Sequence, residues 1–590
     1  MFTKSTLSFF LPILFLSGLS AQTLDLPRFA TDAERDIEST PPLTIGITDP
    51  PVSPVRTMAE WEELQALIIT WNGQNTILAE IVRAARAECN VVICCQNQSV
   101  VAQAKAKLTS SGVDFSTNVT FLIAPNNSIW VRDYGPNSVY ANDVDSLYFV
   151  DWIYNRPTRP KDDTLVTSIL PYFGIPLYST SAAPTDLVNT GGNFMSDGMG
   201  TAFASELILN ENEPGNPYGV SVKTEAQVDG VLYDFMGINR FIKMMPLPYD
   251  VIHHIDMHMK LIDEETLMVG QYPTGVADGP QIEANIQYVL SNFESSFGTP
   301  YKVVRVPMPP EGGQYPNLGD YRTYVNAVFV NKTIIVPFYQ QQYDTTAKRI
   351  WQEAMPGYKI VGINCNSIIP LFGAIHCITK EVGVNDPLRI VHKPLEGVLQ
   401  NAIGPANYPV TAIVQHRSGI ASAQVFYRRK TETTWASIGM SPALDPDSLD
   451  YWTGLIPKQE GYLDTLFYYI EGVANSGKMQ VRPLPSPIGA WSFLIQANIS
   501  STAAPVANLQ EIYPNPASAI TVVPVQASAK TRGNISIFNS LGQKVYSVFE
   551  GEIPAGNTNY FLDAGKLPAG TYFVKLQTGG QVQMKKLVVW

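Results

Sequence analysis

A cysteine beside a histidine is the first candidate for chemistry in this chain. Cys377 follows His376 in the stretch LFGAIHCITK and is one of only five cysteines. Nucleophilic catalysis by cysteine requires a thiolate, a proton carrier and a group that holds the electrophile. A free cysteine can also be a small buried apolar residue. The stretch leaves both interpretations open, so the partners have to come from elsewhere in the chain.

Proton carriers are few, because the chain has only six histidines. Three of them, His253, His254 and His258, lie in VIHHIDMHMK. His254 and Asp256 are two residues apart, and on a strand this spacing directs both side chains to one face. Two alternatives are a metal site on His254 and His258, four apart as on a zincin helix, and a structural cluster. No glutamate follows the first histidine, which argues against the zinc motif.

Two further stretches contain candidate binding residues. NSIWVRDYGP places Trp130, Arg132 and Asp133 together, and an aromatic ring beside a carboxylate favours a cation. The alternative for this stretch is a salt-bridged loop. TGGNFMSDGMG, residues 190–200, is rich in glycine, which permits close backbone approach to a ligand or a plain turn. Its spacing is not that of a dinucleotide fingerprint.

The bulk composition limits the function classes. A chain of 590 residues is expected to have several domains. Its net charge of −12 argues against nucleic acid as a partner and is compatible with a cationic substrate. Residues 1–21 have the charged start, apolar run and small-residue end of a signal peptide, with a membrane anchor as the alternative. The odd number of cysteines leaves at least one unpaired, and no cysteine spacing indicates a zinc site.

Short apolar runs alternate with helical patterns in the first two thirds of the chain. The runs predict strands at 66–70, 90–95 and 119–124, and the intervening periodicity predicts helices at 77–88 and 99–112. Strand, helix and strand in turn indicate an α/β domain. Short apolar strands are typical of sheets that are covered on both faces.

The pattern divides the chain into domains. An irregular lead-in at 22–55 precedes the α/β domain at 56–395. Strand-like runs without helices then predict an immunoglobulin-like β-sandwich at 396–498. A linker rich in Ser, Thr, Ala and Pro follows at 499–509, and a second all-β domain occupies 510–590.

The last domain carries three recognisable stretches: IYPNPAS, NISIFNSLGQKVY and LPAGTYFVKLQTG. Together they resemble the C-terminal sorting domain of the type IX secretion system. The resemblance implies that the type IX secretion machinery is a partner and that the protein is secreted or held at the cell surface. The alternative is an ordinary terminal β-sandwich.

Five stretches earlier in the chain point to one enzyme family. They are WVRDYGP, GGNFMSDGMG, HIDMHMK, YVNAVFVNKTIIVP and GAIHCIT. Their order and spacing over about residues 55–390 resemble the agmatine deiminase and bacterial peptidylarginine deiminase family. The resemblance implies a five-bladed α/β propeller of ββαβ units with approximate fivefold symmetry, followed here by the two all-β domains. The residue pattern by itself gives only an α/β domain and no clear internal repeat.

The resemblance also implies roles for particular residues. Cys377 would be the nucleophile and His254 the general acid–base. Asp133 and Asp256 would hold the guanidinium, and Asn326 would lie near the nucleophile. The thiolate attacks the guanidinium carbon, ammonia leaves, and water hydrolyses the covalent thiouronium to a ureido product. This chemistry requires no metal and no cofactor.

Residues implied to bind substrate lie in and near FVDWIYNRPTRPKDD. In the exported branch of the family, which acts on arginine in peptides, a similar stretch binds the α-carboxylate of a C-terminal arginine. The matching residues are Arg156 and Arg159, although their R-P-T-R-P spacing is one residue longer than in that branch. Trp130 is implied to line the pocket. The substrate is therefore expected to be an arginine-containing peptide that is converted to citrulline.

Three other readings are left open. The first is an agmatine deiminase, which acts on a small guanidine in putrescine biosynthesis. The second is a cysteine protease or amidase, since these enzymes also use a Cys–His pair. The third is a non-catalytic surface adhesin that retains the fold. For Arg156 the alternative role is a surface salt bridge with Asp162 or Asp163.

Overall fold

The structure is a computed structural model that describes residues 25–35, 42–400, 407–443, 450–459, 464–496, 506–579 and 581–590. The expected signal peptide and most of the expected linker at 499–509 lie outside the described residues. Among the described helices, none has both the length and the apolar character needed to cross a membrane.

The α/β region consists of five modules of one kind. Each module pairs two strands antiparallel and adds a third strand, after a helix, parallel to the second. The first module consists of Asn137–Ala141, Leu147–Tyr154, the helix Leu165–Phe173 and Leu177–Thr180, and the second of Met195–Ser196, Thr201–Ser205, the helix Glu225–Met236 and Arg240–Met244. The third module consists of Met259–Leu261, Thr266–Gln271, the helix Gly279–Asn292 and Lys302–Pro307, and the fourth of Val328–Val330, Thr333–Phe338, the helix Gln341–Ala354 and Lys359–Asn364. The fifth module consists of Lys380–Gly383, Leu64–Thr70, the helix Asn75–Ala85 and Asn90–Cys95.

The fifth module joins the two ends of the region. Its first strand, Lys380–Gly383, pairs antiparallel with Leu64–Thr70, more than three hundred residues earlier in the chain. A further helix, Gln98–Ser110, leads to an extra parallel strand, Val119–Ile123. The central strand Asn90–Cys95 is a run of apolar residues and is almost wholly buried, as expected for a strand covered on both faces.

Local sequence explains how a representative module helix begins and ends. At the start of Glu225–Met236, the Thr224 side chain accepts the N–H of Gln227, and the Gln227 side chain accepts the N–H of Thr224. This reciprocal capping box satisfies two donors that a helix start leaves unpaired. Gly237 ends the helix at φ +68°, and a Cβ there would lie 1.7 Å from the carbonyl oxygen of Val55. Only glycine fits this helix end.

Four of the five predicted elements have the predicted type within about two residues at each end, and the helix predicted at 77–88 ends three residues early, at Ala85. One large apolar cluster, from Met58 to Val382, fills the space between the sheets and helices, and a smaller cluster lies beside the second module. The alternating pattern of apolar runs therefore predicted the elements, and their repetition in five modules emerges only from strand pairing.

The two C-terminal units are all β. In the first unit, two sheets face one another around a core that runs from Leu388 to Ile495. One sheet contains Arg389–His392, Tyr408–Gln415, Tyr451–Ile456 and Ser441–Pro442. The other contains Val398–Gln400, Trp491–Gln496, Asp464–Ala474, Ile420–Arg429, Ala436–Gly439 and Met479–Arg482. Its first strand, Arg389–His392, lies before residue 396, where the sequence pattern places the start of this unit.

The last unit also has two sheets. They consist of Ala507–Leu509, Ile520–Ala527 and Gly556–Asp563, and of Lys544–Ile553, Thr531–Asn539, Gly570–Thr578 and Gln581–Val589. A separate apolar core extends from Ala507 to Val589. Alternation of buried and exposed residues along Gly570–Thr578 is typical of a half-buried strand.

All five cysteines are buried and unpaired. Burial raises the pKa of Cys89 and Cys95 to about 12, and it raises the pKa values of Cys94 and Cys365 further. We expect these four thiols to resist iodoacetamide in the native protein at pH 8, since little thiolate is present and none is accessible. Mass spectrometry should find them labelled only after urea unfolds the chain. Labelling of any of the four in the native protein would contradict its buried position.

Candidate functional site

The five sequence stretches singled out above occupy the same place in the five modules. Each forms a turn or loop immediately before the first strand of its module. In module order these are Val131–Tyr134, Gly191–Asn193, Ile255–Met257, the loop that contains Asn326, and His376–Ile378. Because equivalent ends of the modules meet, side chains far apart in sequence come together at one site.

A guanidinium from the chain itself lies at the centre of this site. Nε and Nη2 of Arg28 donate to the two oxygens of Asp133 at 2.9 and 2.7 Å, a bidentate pair. Nη1 and Nη2 donate to the two oxygens of Asp256 at 3.2 and 3.3 Å. Nη1 also lies 2.7 Å from Sγ of Cys377. The Arg28 side chain is 0% exposed, so the site holds one guanidinium between two carboxylates and a thiol.

The two carboxylates are held in the ionised state. Burial alone would raise the pKa of Asp133 and of Asp256. The charge of Arg28, together with its hydrogen bond to Asp133 and the hydrogen bond of His376 to Asp256, more than offsets burial and lowers both pKa values. A carboxylate beside a fixed cation loses its proton more easily. The site therefore presents two negative charges to the guanidinium.

Cys377 and His254 are both neutral in this state. Burial raises the pKa of the Cys377 thiol well above its usual value, and the Arg28 charge opposes this effect. Burial lowers the pKa of His254 to about 3, and the charge of Arg28 acts in the same direction. His254 Nε2 lies 3.0 Å from the Thr190 hydroxyl, and its Nδ1 lies 3.6 Å from Asp133 Oδ1. An uncharged imidazole can accept a proton beside the cation.

Asn326 and His376 fix the position of the thiol. Asn326 Nδ2 lies 3.2 Å from Cys377 Sγ, and its Oδ1 accepts the backbone N–H of His376 at 3.1 Å. The His376 ring lies between Asp256 at 2.8 Å and Glu60 at 2.9 Å. Asn326 was predicted from the sequence, whereas His376 and Glu60 were given no role. The signal for His376 was its place beside Cys377.

Glycines make room for these groups. A Cβ at Gly192 would lie 1.7 Å from Nη2 of Arg28 and 2.7 Å from Nδ1 of His254. A Cβ at Gly191 would lie 1.9 Å from the carbonyl oxygen of Arg132. Two uses were considered for this glycine-rich stretch, and Gly192 serves the first, because it allows the guanidinium of Arg28 to approach the backbone closely. Gly191 instead allows close contact with the turn that carries Asp133.

Arg132 and Asp133 are adjacent but point to different partners. Arg132 forms an ion pair with Glu381 at 2.6 Å and donates from Nε to the carbonyl oxygen of His376 at 3.2 Å. The salt-bridged loop considered from the sequence therefore describes Arg132, whereas Asp133 binds the guanidinium. Arg132 ties the turn that carries Asp133 to the turn that carries the cysteine.

The expectation that His254 and Asp256 lie on a strand is wrong. Ile255–Met257 form a 3-10 turn, and the strand begins only at Met259. The turn nevertheless places both side chains in the site, so the inference that they face one site does not depend on strand geometry. Within the described part of the chain, no group of three or more His, Cys, Asp or Glu residues is placed to hold a metal ion.

Trp130 and Arg156 contact the backbone around Arg28. The indole Nε1 of Trp130 donates to the carbonyl oxygen of Leu26 at 2.9 Å. Nε of Arg156 donates to the carbonyl oxygen of Arg28 at 3.1 Å. Arg156 therefore recognises the main-chain oxygen of the arginine whose guanidinium fills the site.

Arg159 contacts the same segment further out. Its Nη2 donates to the carbonyl oxygens of Pro27 and Phe29 at 2.9 and 3.1 Å, and its Nε donates to Glu34 at 2.7 Å. It lies beyond the guanidinium pocket, on the peptide that enters it.

The alternative partners of Arg156 are engaged elsewhere. Asp162 accepts the backbone N–H and the hydroxyl of Ser128, and Asp163 accepts the N–H of Tyr154 at 2.7 Å. In the structure these carboxylates hold the loop rather than pairing with Arg156.

Arg28 was not predicted as a site residue, because residues 22–55 have no periodic pattern. One signal was present. Thr31 and Glu34 form a capping box, in which Thr31 N–H donates to Glu34 at 2.9 Å and Glu34 N–H donates to the Thr31 hydroxyl at 3.2 Å. The short helix Asp32–Arg35 follows. Such a motif indicates an ordered turn in a segment that otherwise reads as irregular.

The sequence is similar to those of known proteins. A "Putative agmatine deiminase" of Shewanella sp. (strain W3-18-1) is 28% identical over 308 residues, which cover 47% of this chain and 80% of that protein. The protein of the same name from Yersinia pestis is 28% identical over 314 residues, with 48% and 80% covered. Residues 511–590 match the secretion system C-terminal sorting domain, which is the sorting domain of type IX secretion.

Solved structures are similar as well. The agmatine deiminase of Enterococcus faecalis is 20% identical and superimposes with a TM-score of 0.48, covering 57% of this chain and 99% of that one. For the C. jejuni agmatine deiminase the identity is 21%, the TM-score 0.45 and the coverage 55% and 95%. Residues 56–382, more than half of the 590, match the Porphyromonas-type peptidyl-arginine deiminase family. The chain belongs to this family, whose members are hydrolases that act on guanidino groups.

Proposed function

We propose that the protein is an exported protein-arginine deiminase, which hydrolyses the guanidino group of arginine in peptides to citrulline and ammonia. The observation that carries the proposal is the guanidinium of Arg28, bound by Asp133 and Asp256 with Cys377 Sγ 2.7 Å from Nη1. In the proposed complex the substrate guanidinium takes the place of this group. Two carboxylates and a thiol around a planar cation are suited to guanidine chemistry and poorly suited to a neutral peptide bond.

In the proposed first step, Cys377 attacks the guanidinium carbon. The substrate cation lowers the pKa of the thiol, as the charge of Arg28 does, and the thiol proton passes to the neutral His254. Sγ then bonds to the carbon and a tetrahedral adduct forms. A Cβ at Gly192 would contact both Nη2 and His254 Nδ1, so the imidazole is near this nitrogen. His254 returns the proton to it, and the nitrogen leaves as ammonia. Asp133 and Asp256 stabilise the positive charge, which lies on the guanidinium before the attack, on His254 in the adduct, and on the thiouronium after ammonia has left.

In the second step, the proposed thiouronium is hydrolysed. His254 takes a proton from water, the oxygen adds to the carbon, and the C–S bond breaks. His254 returns its proton to Sγ to give the free thiol, and the proton that the ureido product loses converts ammonia into ammonium. The overall reaction converts a guanidinium and water into a ureido group and ammonium. Acid–base catalysis by a positioned histidine contributes about 10²–10⁴-fold to such reactions.

We propose that arginine at a peptide C-terminus is the preferred substrate. Arg156 donates to the main-chain oxygen of Arg28, and a terminal α-carboxylate would place a charged oxygen at this position. A hydrogen bond to a charged acceptor is stronger than one to a neutral carbonyl. Arg159, which binds neighbouring carbonyl oxygens, would hold the rest of the peptide.

Agmatine is the second candidate substrate, because the sequence relatives carry the name agmatine deiminase. Agmatine has an amine where arginine continues into the main chain, so it offers Arg156 no oxygen. Arg156 would instead place a positive charge near the agmatine ammonium. The contact of Arg156 with a carbonyl oxygen therefore favours arginine.

We further propose that the five modules form a closed five-bladed ring with the site on its axis. Pairing of Lys380–Gly383 with Leu64–Thr70 supports closure, as does the position of all five site turns at the same end of their modules. In this proposal the catalytic domain spans 56–395, the sandwich 396–498 and the sorting domain 510–590. A signal peptide directs the chain across the inner membrane, and the sorting domain directs it onward to the surface or medium.

Replacement of the nucleophile tests the reaction. Cys377→Ala should reduce citrulline formation from acetyl-arginine to below a few per cent, because no thiol remains to form the covalent adduct. The matched control is Cys365→Ala, which removes another buried free cysteine and should leave the rate unchanged. A colorimetric assay for ureido groups measures both. A Cys377→Ala protein of normal circular dichroism that still turns over would place the nucleophile elsewhere.

Substrate choice is tested at Arg156. In Arg156→Ala, the ratio of kcat/KM for acetyl-arginine to that for agmatine should fall about 10–150-fold, the equivalent of one charge-assisted hydrogen bond of about 1.5–3 kcal/mol. The ratio cancels any effect common to both substrates. Lys161→Ala, an exposed cation nearby, is the control and should leave the ratio unchanged. A wild-type preference for agmatine would instead identify the protein as an agmatine deiminase.

Export is tested by truncation. Deletion of residues 511–590 should leave an enzyme in the periplasm with the same activity as the full-length chain, since the deleted unit lies in a separate core and contributes no residue to the site. Activity and immunoblots of periplasm, cell surface and medium measure the distribution. Delivery of the truncated chain to the surface at the full-length level would refute the sorting role.

A further inference from the structure

We infer that residues 25–35, the N-terminal segment, are an autoinhibitory segment whose Arg28 occupies the place of the substrate arginine, so that the chain is latent until the segment is displaced. This inference rests on the proposed function of the site. In the latent state, the occupant of the site is an arginine within a peptide chain.

Arg28 uses the groups that a substrate would need. Its three guanidinium nitrogens donate to both oxygens of Asp133, to both oxygens of Asp256 and to Cys377 Sγ. The side chain is wholly buried, and so are the side chains of Cys377 and His254. A second guanidinium cannot enter while these contacts persist, since its position is filled and its charge would face the charge of Arg28.

The backbone around Arg28 is held through both its N–H and its carbonyl oxygen. Arg28 N–H donates to the carbonyl oxygen of Leu371 at 2.9 Å, and its own carbonyl oxygen accepts from Arg156. Leu26 accepts from the Trp130 indole. The segment therefore lies in the cleft as a peptide, with defined hydrogen bonds on both sides of the arginine.

Two contacts anchor the segment beyond the backbone. The rings of Phe29 and Phe372 meet edge to face, with centroids 5.5 Å apart. Glu34 forms an ion pair with Arg159 at 2.7 Å, and the Thr31 capping box orients the Glu34 carboxylate. Because the segment belongs to the same chain, it competes with free substrate at a high effective concentration.

The buried site also explains why Arg28 remains in place. Hydrolysis of a covalent adduct requires water at the guanidinium carbon, and with the segment in place the cysteine, the histidine and the arginine are all 0% exposed. The bound arginine keeps its charge, and this charge pairs with both carboxylates. Conversion to citrulline would remove the charge and release the segment.

The experiment compares three variants of the full chain. Arg28→Ala removes the occupying group, and Glu34→Gln weakens the anchor without touching the pocket. Arg35→Ala is the matched control, since this arginine lies in the same segment but is exposed and, among the described residues, forms an ion pair with Asp32. For acetyl-arginine and for agmatine, kcat/KM of Arg28→Ala should rise about 100-fold over wild type, as when a 1% competent fraction becomes fully competent. Glu34→Gln should give a smaller rise and Arg35→Ala none.

A second measurement does not depend on turnover. 2-Chloroacetamidine is a small cation that resembles a guanidinium and alkylates thiols. Its rate of labelling at Cys377, followed by mass spectrometry of the peptides, should rise in Arg28→Ala in parallel with kcat/KM and stay at the wild-type level in Arg35→Ala. The four other cysteines of the same samples serve as internal controls for unfolding.

The outcomes separate this inference from the proposed function. Equal kcat/KM and equal labelling in wild type and Arg28→Ala would overturn autoinhibition while leaving the deiminase intact. Faster labelling of Cys377 in Arg28→Ala, without ureido product from any guanidine, would support occlusion of the site by the N-terminal segment and refute the proposed function. Citrulline at residue 28 of the purified wild-type chain would show that Arg28 is a substrate and not an inhibitor, and would overturn the inference. If Arg28→Ala does not fold, Glu34→Gln decides by the same two readouts.

Discussion

The site depends on pairing one delocalised cation with two buried carboxylates. Each carboxylate is nearly inaccessible to solvent, and burial of an unpaired charge is strongly unfavourable. Two of them close together would also repel one another. The guanidinium compensates both, and its planar geometry lets each carboxylate bind through two nitrogens. Without a cation, the pair Asp133 and Asp256 has no such compensation, so the site has an intrinsic preference for being filled.

The protein provides this arrangement by repeating one local device. In every module a turn or loop precedes the first strand, and it presents a side chain or a backbone group inward. The turns differ in sequence. The first carries an acid, the second glycines, and the third a histidine and an acid, while the fourth carries an amide and the fifth a cysteine. The equivalent position recurs while the chemistry varies, so five short segments build an asymmetric site on a repeated scaffold. Ion pairs such as that of Arg132 with Glu381 connect the segments.

Much of the α/β region was predictable, since apolar runs and helical periodicity depend on neighbouring residues only. Strands such as Asn90–Cys95 follow directly from their composition. The meeting of Cys377, Asp133, Asp256 and Asn326 followed from a family resemblance, because no local pattern links residues that are hundreds of positions apart. The turn at Ile255–Met257 was predicted as a strand, since spacing of two residues does not distinguish the two conformations here.

Arg28 could not be found by either route. It lies outside the five motifs, in a segment whose order depends on contacts with distant residues such as Leu371 and Arg156. An arginine in an irregular segment resembles any solvated charge until the pocket that receives it is known. The same limit applied to Glu60, whose carboxylate becomes significant only through its contact with His376.

Closure of the fifth module by the two ends of the α/β region sets the order in which the site can be completed. The strand that follows Cys377 pairs with a strand near residue 64, and it is the last strand of the five modules to leave the ribosome. A chain that stops before Cys377 already contains both carboxylates, the histidine and Arg28, but it lacks the thiol of the site. The reactive group is therefore the last group of the site to be synthesised, and the arginine that covers it is already present in the chain.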